Sequence, residues 1–162
     1  MDDVLIRAIN GPEEAAVCAT IMASSDPWRR LGRDVEHTLR TVTNANSEVY
    51  VAADARDVVG LVIVVMNVPL IRGYVNALAV RDDHRNRGIG GRLLAFAEQR
   101  IFRESPNVFL CVSSFNSDAQ RFYERMGYQR IGVIEDFIID GAGEILMRKT
   151  IGPQATFVAH QT

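Results

Sequence analysis

The segment Val80-Arg81-Asp82-Asp83-His84-Arg85-Asn86-Arg87-Gly88-Ile89-Gly90-Gly91-Arg92 limits the fold more than any other stretch of this chain. It joins an apolar run, Tyr74 to Val80, to a stretch from Gly90 to Glu104 in which Leu93, Ala97 and Ile101 recur at helical spacing. Beyond that helix, Val108 to Val112 is continuously apolar, as a strand covered on both faces should be. Strand, glycine-rich turn, helix and buried strand in that order require two parallel strands joined by a helical crossover.

The flanking sequence adds to this unit without repeating it. Val4 to Ile9 reads as a first strand, and Asn10-Gly11-Pro12 turns it into a helix with Pro12 near its first position. A second short helix runs from about Asp34 to Val42. Glu48 to Ala53 and Val58 to Met66 form a hairpin around Asp54-Ala55-Arg56-Asp57, followed by a loop from Asn67 to Arg72. After the buried strand, Asn116 caps a helix whose Ala119, Phe122, Tyr123 and Met126 share one side, and Gly127 ends it. Strands at about Tyr128 to Ile134 and Glu144 to Thr150 complete the chain, joined by Asp140-Gly141-Ala142-Gly143. The expected fold class is α/β, a mixed sheet of about seven strands with four helices.

With 162 residues, 48% hydrophobic and 23% charged, the chain matches one globular domain, residues 1–151, and residues 152–162 form a patternless tail, much of it expected to be mobile unless it packs against a partner. The longest apolar run, Leu61 to Met66, is too short to span a bilayer, and Met1-Asp2-Asp3 lacks the basic start of a signal peptide, so a soluble cytoplasmic protein is expected. A net charge of −2 argues against nucleic-acid binding. Cys18 and Cys111 sit in apolar stretches without metal-type spacing, so neither a disulfide framework nor a metal site is expected.

Of the 18 basic residues only Lys149 is lysine, and four arginines (Arg81, Arg85, Arg87 and Arg92) crowd the glycine-rich segment. Glycines let a ligand approach the backbone, and the first helical turn offers unpaired N–H groups at the positive end of the dipole. Such a site suits phosphate; the alternative is a tight turn with solvated arginines. The nucleotide-triphosphate pattern G-x-x-x-x-G-K-[ST] is absent, and Leu93 stands where the third glycine of G-x-G-x-x-G should fall.

Arg85-Asn86-Arg87-Gly88-Ile89-Gly90 matches the [QR]-x-x-G-x-[GA] acyl-CoA-binding motif of the GNAT superfamily of N-acetyltransferases, and Asn116 to Tyr128 resembles its N-x-x-A-x-x-x-Y-E-x-x-G-[FY] segment. The chain resembles the family along residues 4 to 151, most closely the ribosomal-protein alanine N-acetyltransferases. The resemblance implies splayed fourth and fifth strands, with the pantetheine arm of acetyl-CoA bonding to Leu78, Ala79 and Val80 in the cleft between them. It places the pyrophosphate on the amides of Asn86, Arg87, Gly88, Ile89, Gly90, Gly91 and Arg92, beside Arg85, and puts Asn116 against the cofactor arm. Asn116 is equally a plain helix cap.

In the resembling enzymes the tyrosine at Tyr123 protonates the departing CoA thiolate; without the resemblance, Tyr123 would read as core packing. A backbone N–H near Val80 is expected to stabilise the oxyanion. The glutamate that alanine-acetyltransferase-like members carry five positions before the asparagine is replaced by Cys111, read as a buried inert thiol rather than a nucleophile. A water held by Asn76 or by backbone carbonyls is then the expected base. An α-amine with pKa near 8 is about a tenth neutral at pH 7, whereas a lysine is neutral in fewer than about one molecule in a thousand, so α-amines or activated small amines are the expected acceptors. Candidates for the acceptor pocket are Asp26, Trp28 and Arg29 on one side and Asp136, Phe137 and Asp140 on the other. The expected activity is transfer of acetyl from acetyl-CoA to a primary amine, by direct attack in a ternary complex without metal. A non-catalytic acyl-CoA sensor is the alternative, and a homodimer the default assembly.

Overall fold

The computed structural model describes residues 4–69 and 71–160. Seven strands form one sheet in the order β1-β2-β3-β4-β5-β7-β6: β1 (Leu5–Ala8), β2 (Glu48–Ala53), β3 (Val58–Val68), β4 (Ile71–Val80), β5 (Asn107–Ser113), β6 (Gln129–Ile139) and β7 (Ala142–Thr150). The helices are α1 (Gly11–Ala23), α2 (Val35–Val42), α3 (Ile89–Phe102) and α4 (Ser117–Arg125). Among the described residues no helix is long and apolar enough to cross a membrane.

The sheet separates two cores. Val62, Val64 and Val75 pack beneath α3 with Leu93, Leu94, Ala97 and Ile101, while Leu61, Ile63, Ala77 and Ala79 pack beneath α1 with Cys18, Ile21 and Met22. Val75 and Ala77 have the same parity yet face opposite sides. The register explains why: Ile63 pairs with Ala77 but Val64 pairs with Val75, so Asn76 is an extra residue that turns β4 over. Burial of Cys18 on the α1 side pushes its thiol up to about 12.

All seven strands and four helices expected from the sequence are present, with shifted ends. Most of the expected loop from Asn67 to Arg72 is strand, because β3 continues to Val68 and β4 begins at Ile71; Leu70 lies outside the described residues. Likewise β6 runs to Ile139 rather than Ile134, and Ala142 and Gly143 already belong to β7, so the turn is shorter than Asp140-Gly141-Ala142-Gly143. Within the tail, the described residues return to the domain, where the His160 amide donates to the Arg103 carbonyl at 3.1 Å; residues 161–162 lie outside the described residues.

Two contacts make the architecture testable. Gly73 has φ +84°, and a Cβ there would lie 2.3 Å from Ile101 Cγ2 and 2.8 Å from the Asn107 carbonyl, where α3 closes onto β4 and β5. Gly73→Ala is therefore expected to destabilise the fold by about 3 kcal/mol or more, combining positive-φ strain with backbone overlap, and a urea melt measures it. Lys149 Nζ meets Glu98 Oε2 at 2.8 Å, with 9% of the Glu98 side chain exposed and 29% of the lysine's. Lys149→Met should cost roughly 2 kcal/mol in the same melt, below the ~3–5 kcal/mol of fully buried pairs because the lysine is partly solvated.

Candidate active site

Parallel pairing between β4 and β5 is confined to Tyr74 with Phe109 and Val75 with Leu110. Past these pairs the strands part, while β4 stays bonded to β3 through Val80 and β5 to β7 through Ser113. The edge of Asn76 to Val80 that faces β5 is thus left without a strand partner. A cleft of about 730 Å³ opens there, lined by Leu78, Ala79 and Val80 on one wall and by Cys111, Val112 and Ser113 on the other.

One end of the cleft reaches the start of α3. Asn86 (φ 60°) and Gly88 (φ 78°) take left-handed conformations that turn the chain into the helix. The first bond within α3 runs from the Arg92 amide to the Gly88 carbonyl at 3.1 Å. The amides of Ile89, Gly90 and Gly91 precede it and form the positive end of the helix, and all three residues line the cleft with Arg85, Asn86 and Gly88. Among the described residues outside their own helix, Cβ atoms on Gly90 and Gly91 would meet Phe122, Val80 and Met126, at 3.8 Å or more. These glycines are therefore not demanded by internal packing, and their bareness serves whatever approaches from the cleft.

The arginines divide. Arg85 lies in the cleft wall with Nη2 2.9 Å from Asp82 Oδ1 and Nε 3.3 Å from the Val80 carbonyl. Arg92 points away, its Nη2 donating to the Val4 carbonyl at 2.5 Å, and Arg87 Nη2 donates to the Asp83 carbonyl at 2.9 Å. Neither Arg87 nor Arg92 is among the residues that line the cleft. Arg81 is held by Asp83 at 2.7 Å. His84, for which no role was expected, lies in the wall between Asp83 (Nδ1 to Oδ1, 2.8 Å) and Asp54 (Nε2 to Oδ2, 3.5 Å).

At the mid-cleft, Asn116 and Tyr123 line the same space. Asn116 Oδ1 accepts from the Ala119 amide at 3.2 Å, so the cap is present and leaves the side-chain amide group for another partner. Tyr123 is 8% exposed, with its ring edge-on to Phe122 and Tyr128 at centroid distances of 5.2 and 5.8 Å. Burial raises its pKa well above the usual phenol value, so the hydroxyl keeps its proton. Gln120, unassigned in the sequence, is buried and stiffens this end of β5: its Nε2 donates to the Ser113 and Ser114 carbonyls at 3.1 and 3.0 Å, and its Oε1 accepts from Arg130 at 3.0 Å.

The cleft also gathers residues from distant segments. Of the acceptor-pocket candidates, Asp26, Trp28 and Phe137 line the cleft. Arg29 instead pairs with Asp26 at 3.3 Å, and Asp136 accepts from the Gly141 amide at 2.7 Å to close the β6–β7 turn. Asp140 is exposed within that turn. Cys111 lines the cleft beside Tyr74, and burial raises its thiol pKa, which keeps it a poor nucleophile. The unexpected member is Glu144: a buried carboxylate on β7 whose Oε1 accepts from Ser113 Oγ at 2.6 Å and which faces the cleft. Sequence spacing carried no signal for it, because only the β5–β7 register brings it opposite Ser113.

Comparison with known proteins agrees with this geometry. The acetyltransferase (GNAT) domain family matches residues 45–130, more than half the chain, and the protein belongs to that family. An N-alpha-acetyltransferase of Sulfurisphaera tokodaii is 33% identical over 79 residues, which cover 47% of each chain. The chain spans about half the length of the curated relatives it matches. Two solved structures share the fold over nearly their whole lengths: an aminoglycoside 6'-N-acetyltransferase complexed with coenzyme A (TM-score 0.76, 19% identity, 92% of this chain and 98% of that one), and the ribosomal-protein-S18-alanine N-acetyltransferase of Escherichia coli (TM-score 0.74, 15% identity, 97% and 99%).

Proposed function

We propose that the protein transfers the acetyl group of acetyl-CoA to a primary amine by direct attack in a ternary complex. The observation that carries this reading is the cleft itself, where a β4 edge that β5 does not pair, the amide end of α3 and Tyr123 line one continuous space. The edge of Asn76 to Val80 gives an amide-bearing pantetheine arm the bonding pattern of an added strand, and the Ile89, Gly90 and Gly91 amides suit its pyrophosphate. Relatives named as N-acetyltransferases and a neighbour that binds coenzyme A support the same assignment.

In this reading the thioester lies beside Tyr123, with its carbonyl oxygen toward a backbone N–H near Val80, where a fixed dipole stabilises the developing oxyanion without reorganising. The amine enters from the Trp28 and Phe137 end. As the C–S bond breaks, the Tyr123 hydroxyl donates to sulfur. The two free cysteines fit a reducing compartment, and we place the enzyme in the cytoplasm.

The test is a CoA-release screen over peptides with free N-termini, polyamines, amino acids and aminoglycosides. Acetyl-CoA-dependent release with at least one amine is expected. Binding of acetyl-CoA without release for any amine would instead make the protein an acyl-CoA sensor.

A further inference from the structure

The cleft holds a carboxylate that the reading above leaves unused. Glu144 is 6% exposed, on β7, directly opposite Ser113 of β5. Ser113 Oγ donates to its Oε1 at 2.6 Å, and among the described residues Oε2 receives no hydrogen bond. Tyr74, Asn76 and Tyr123 line the same space, so the carboxylate shares the cleft with the tyrosine assigned to the leaving group.

We propose that Glu144, steadied by Ser113, is the site that receives the acceptor's ammonium group, with Oε2 taking its proton, and that the acceptor is an α-amine borne on an apolar residue. The inference rests on the reading of the cleft as an acetyl-transfer site. A carboxylate removed from water needs a cation or several donors to stay charged, and one hydroxyl is too little. The groups around it do not fill that need. Arg33, in the segment between α1 and α2, acts on it through space; Tyr74 on β4 and Cys111 on β5 are neutral neighbours; on β6, Ile134 pairs with it and Glu135 flanks Gly143. Burial consequently raises its pKa above the usual carboxylate range, which brings it nearer that of an amine. An incoming ammonium supplies the missing charge, and the apolar side chains of Trp28, Leu31, Phe137 and Ile138, which line the same cleft, suit an apolar carrier.

The proton count closes. The bound ammonium loses one proton to Glu144 Oε2 and attacks as a neutral amine, forming the N–C bond. Cleavage of the C–S bond then gives sulfur one proton from Tyr123, while nitrogen loses its second proton to water, from which Tyr123 is restored. Glu144 releases its own proton to water, so one proton is liberated per turnover. Transfer to a carboxylate is far less uphill from an α-amine of pKa near 8 than from a lysine near 10.4. A carboxylate base therefore keeps the α-amine preference while replacing the water at Asn76 as proton acceptor.

The test compares wild type, Glu144→Gln and Ser113→Ala on a tetrapeptide with a free N-terminal alanine, across pH 6 to 9.5. In Glu144→Gln the neutral amine must come from solution, so kcat/KM should fall about thirtyfold at pH 6.5 and less than about threefold at pH 9.5, where the amine is already neutral. Acetyl-CoA affinity should stay within about twofold. Because the Ser113 bond favours the ionised form, Ser113→Ala should move the acid limb of the profile to higher pH. Equal loss at every pH would mark a structural role and overturn the proposal, as would no loss. Faster turnover of a lysine side chain than of the N-terminal amine would overturn the acceptor class. Wild type active with Glu144→Gln unimpaired would leave acetyl transfer standing and remove only this inference. Wild type that acetylates no amine would remove both.

Discussion

Tyr123→Phe is expected to lower kcat about 100- to 1,000-fold while leaving acetyl-CoA affinity within about twofold, measured by CoA release and by titration calorimetry. The magnitude is that of losing a positioned general acid. The variant is well suited to isolate chemistry from folding. The ring fills its site through contacts with Phe122 and Tyr128, which phenylalanine keeps, and among the described residues no hydrogen bond involves the hydroxyl. Thermal stability should therefore shift by no more than about 1 kcal/mol. The pH dependence has a definite sign. With its pKa raised by burial, Tyr123 stays protonated through neutral and mildly alkaline pH, so wild type should show no loss of activity from its ionisation below about pH 10. A basic limb at lower pH would assign the acid role to another group.

How much of this was legible in the sequence follows from how local each feature is. The glycine turn before α3, the cap at Asn116 and Tyr123 two turns further on are short-range patterns within single strand–helix joints, and the structure places them around one cleft. The element order was equally readable, because hydrophobic period and turn chemistry act over a few residues. What escaped depends on pairing between distant segments. Glu144 gains its meaning from Ser113, thirty-one positions away, through the β5–β7 register. The bulge at Asn76 exists only relative to β3. Arg92 looked like a phosphate ligand from its position in the chain, yet one helical turn carries its side chain around to the Val4 carbonyl. The length of β6 was missed because Glu135 and Asp136 interrupt its apolar pattern in an edge strand exposed throughout, where burial imposes no alternation.

The second large effect concerns the cofactor. Gly88→Asp is expected to weaken acetyl-CoA binding at least about 100-fold, corresponding to ~2.7 kcal/mol, with the fold retained. Gly88 precedes α3 in a left-handed conformation, and among the described residues nothing beyond its chain neighbours comes within 4 Å of where its Cβ would stand. Aspartate tolerates that backbone better than other bulky residues, and a carboxylate at a helix N-terminus interacts favourably with the dipole and the free amides. The substitution therefore adds an internal anion at the site proposed for the pyrophosphate, where it competes for the Ile89, Gly90 and Gly91 amides and repels a second negative group. A side chain without charge separates the two contributions. Gly88→Asn imposes similar backbone strain and bulk but no repulsion, so it should lose distinctly less affinity than Gly88→Asp, and the gap should narrow as salt is raised. Equal losses for the two variants would mean that the turn's shape, and not the anion-binding end of α3, governs cofactor affinity.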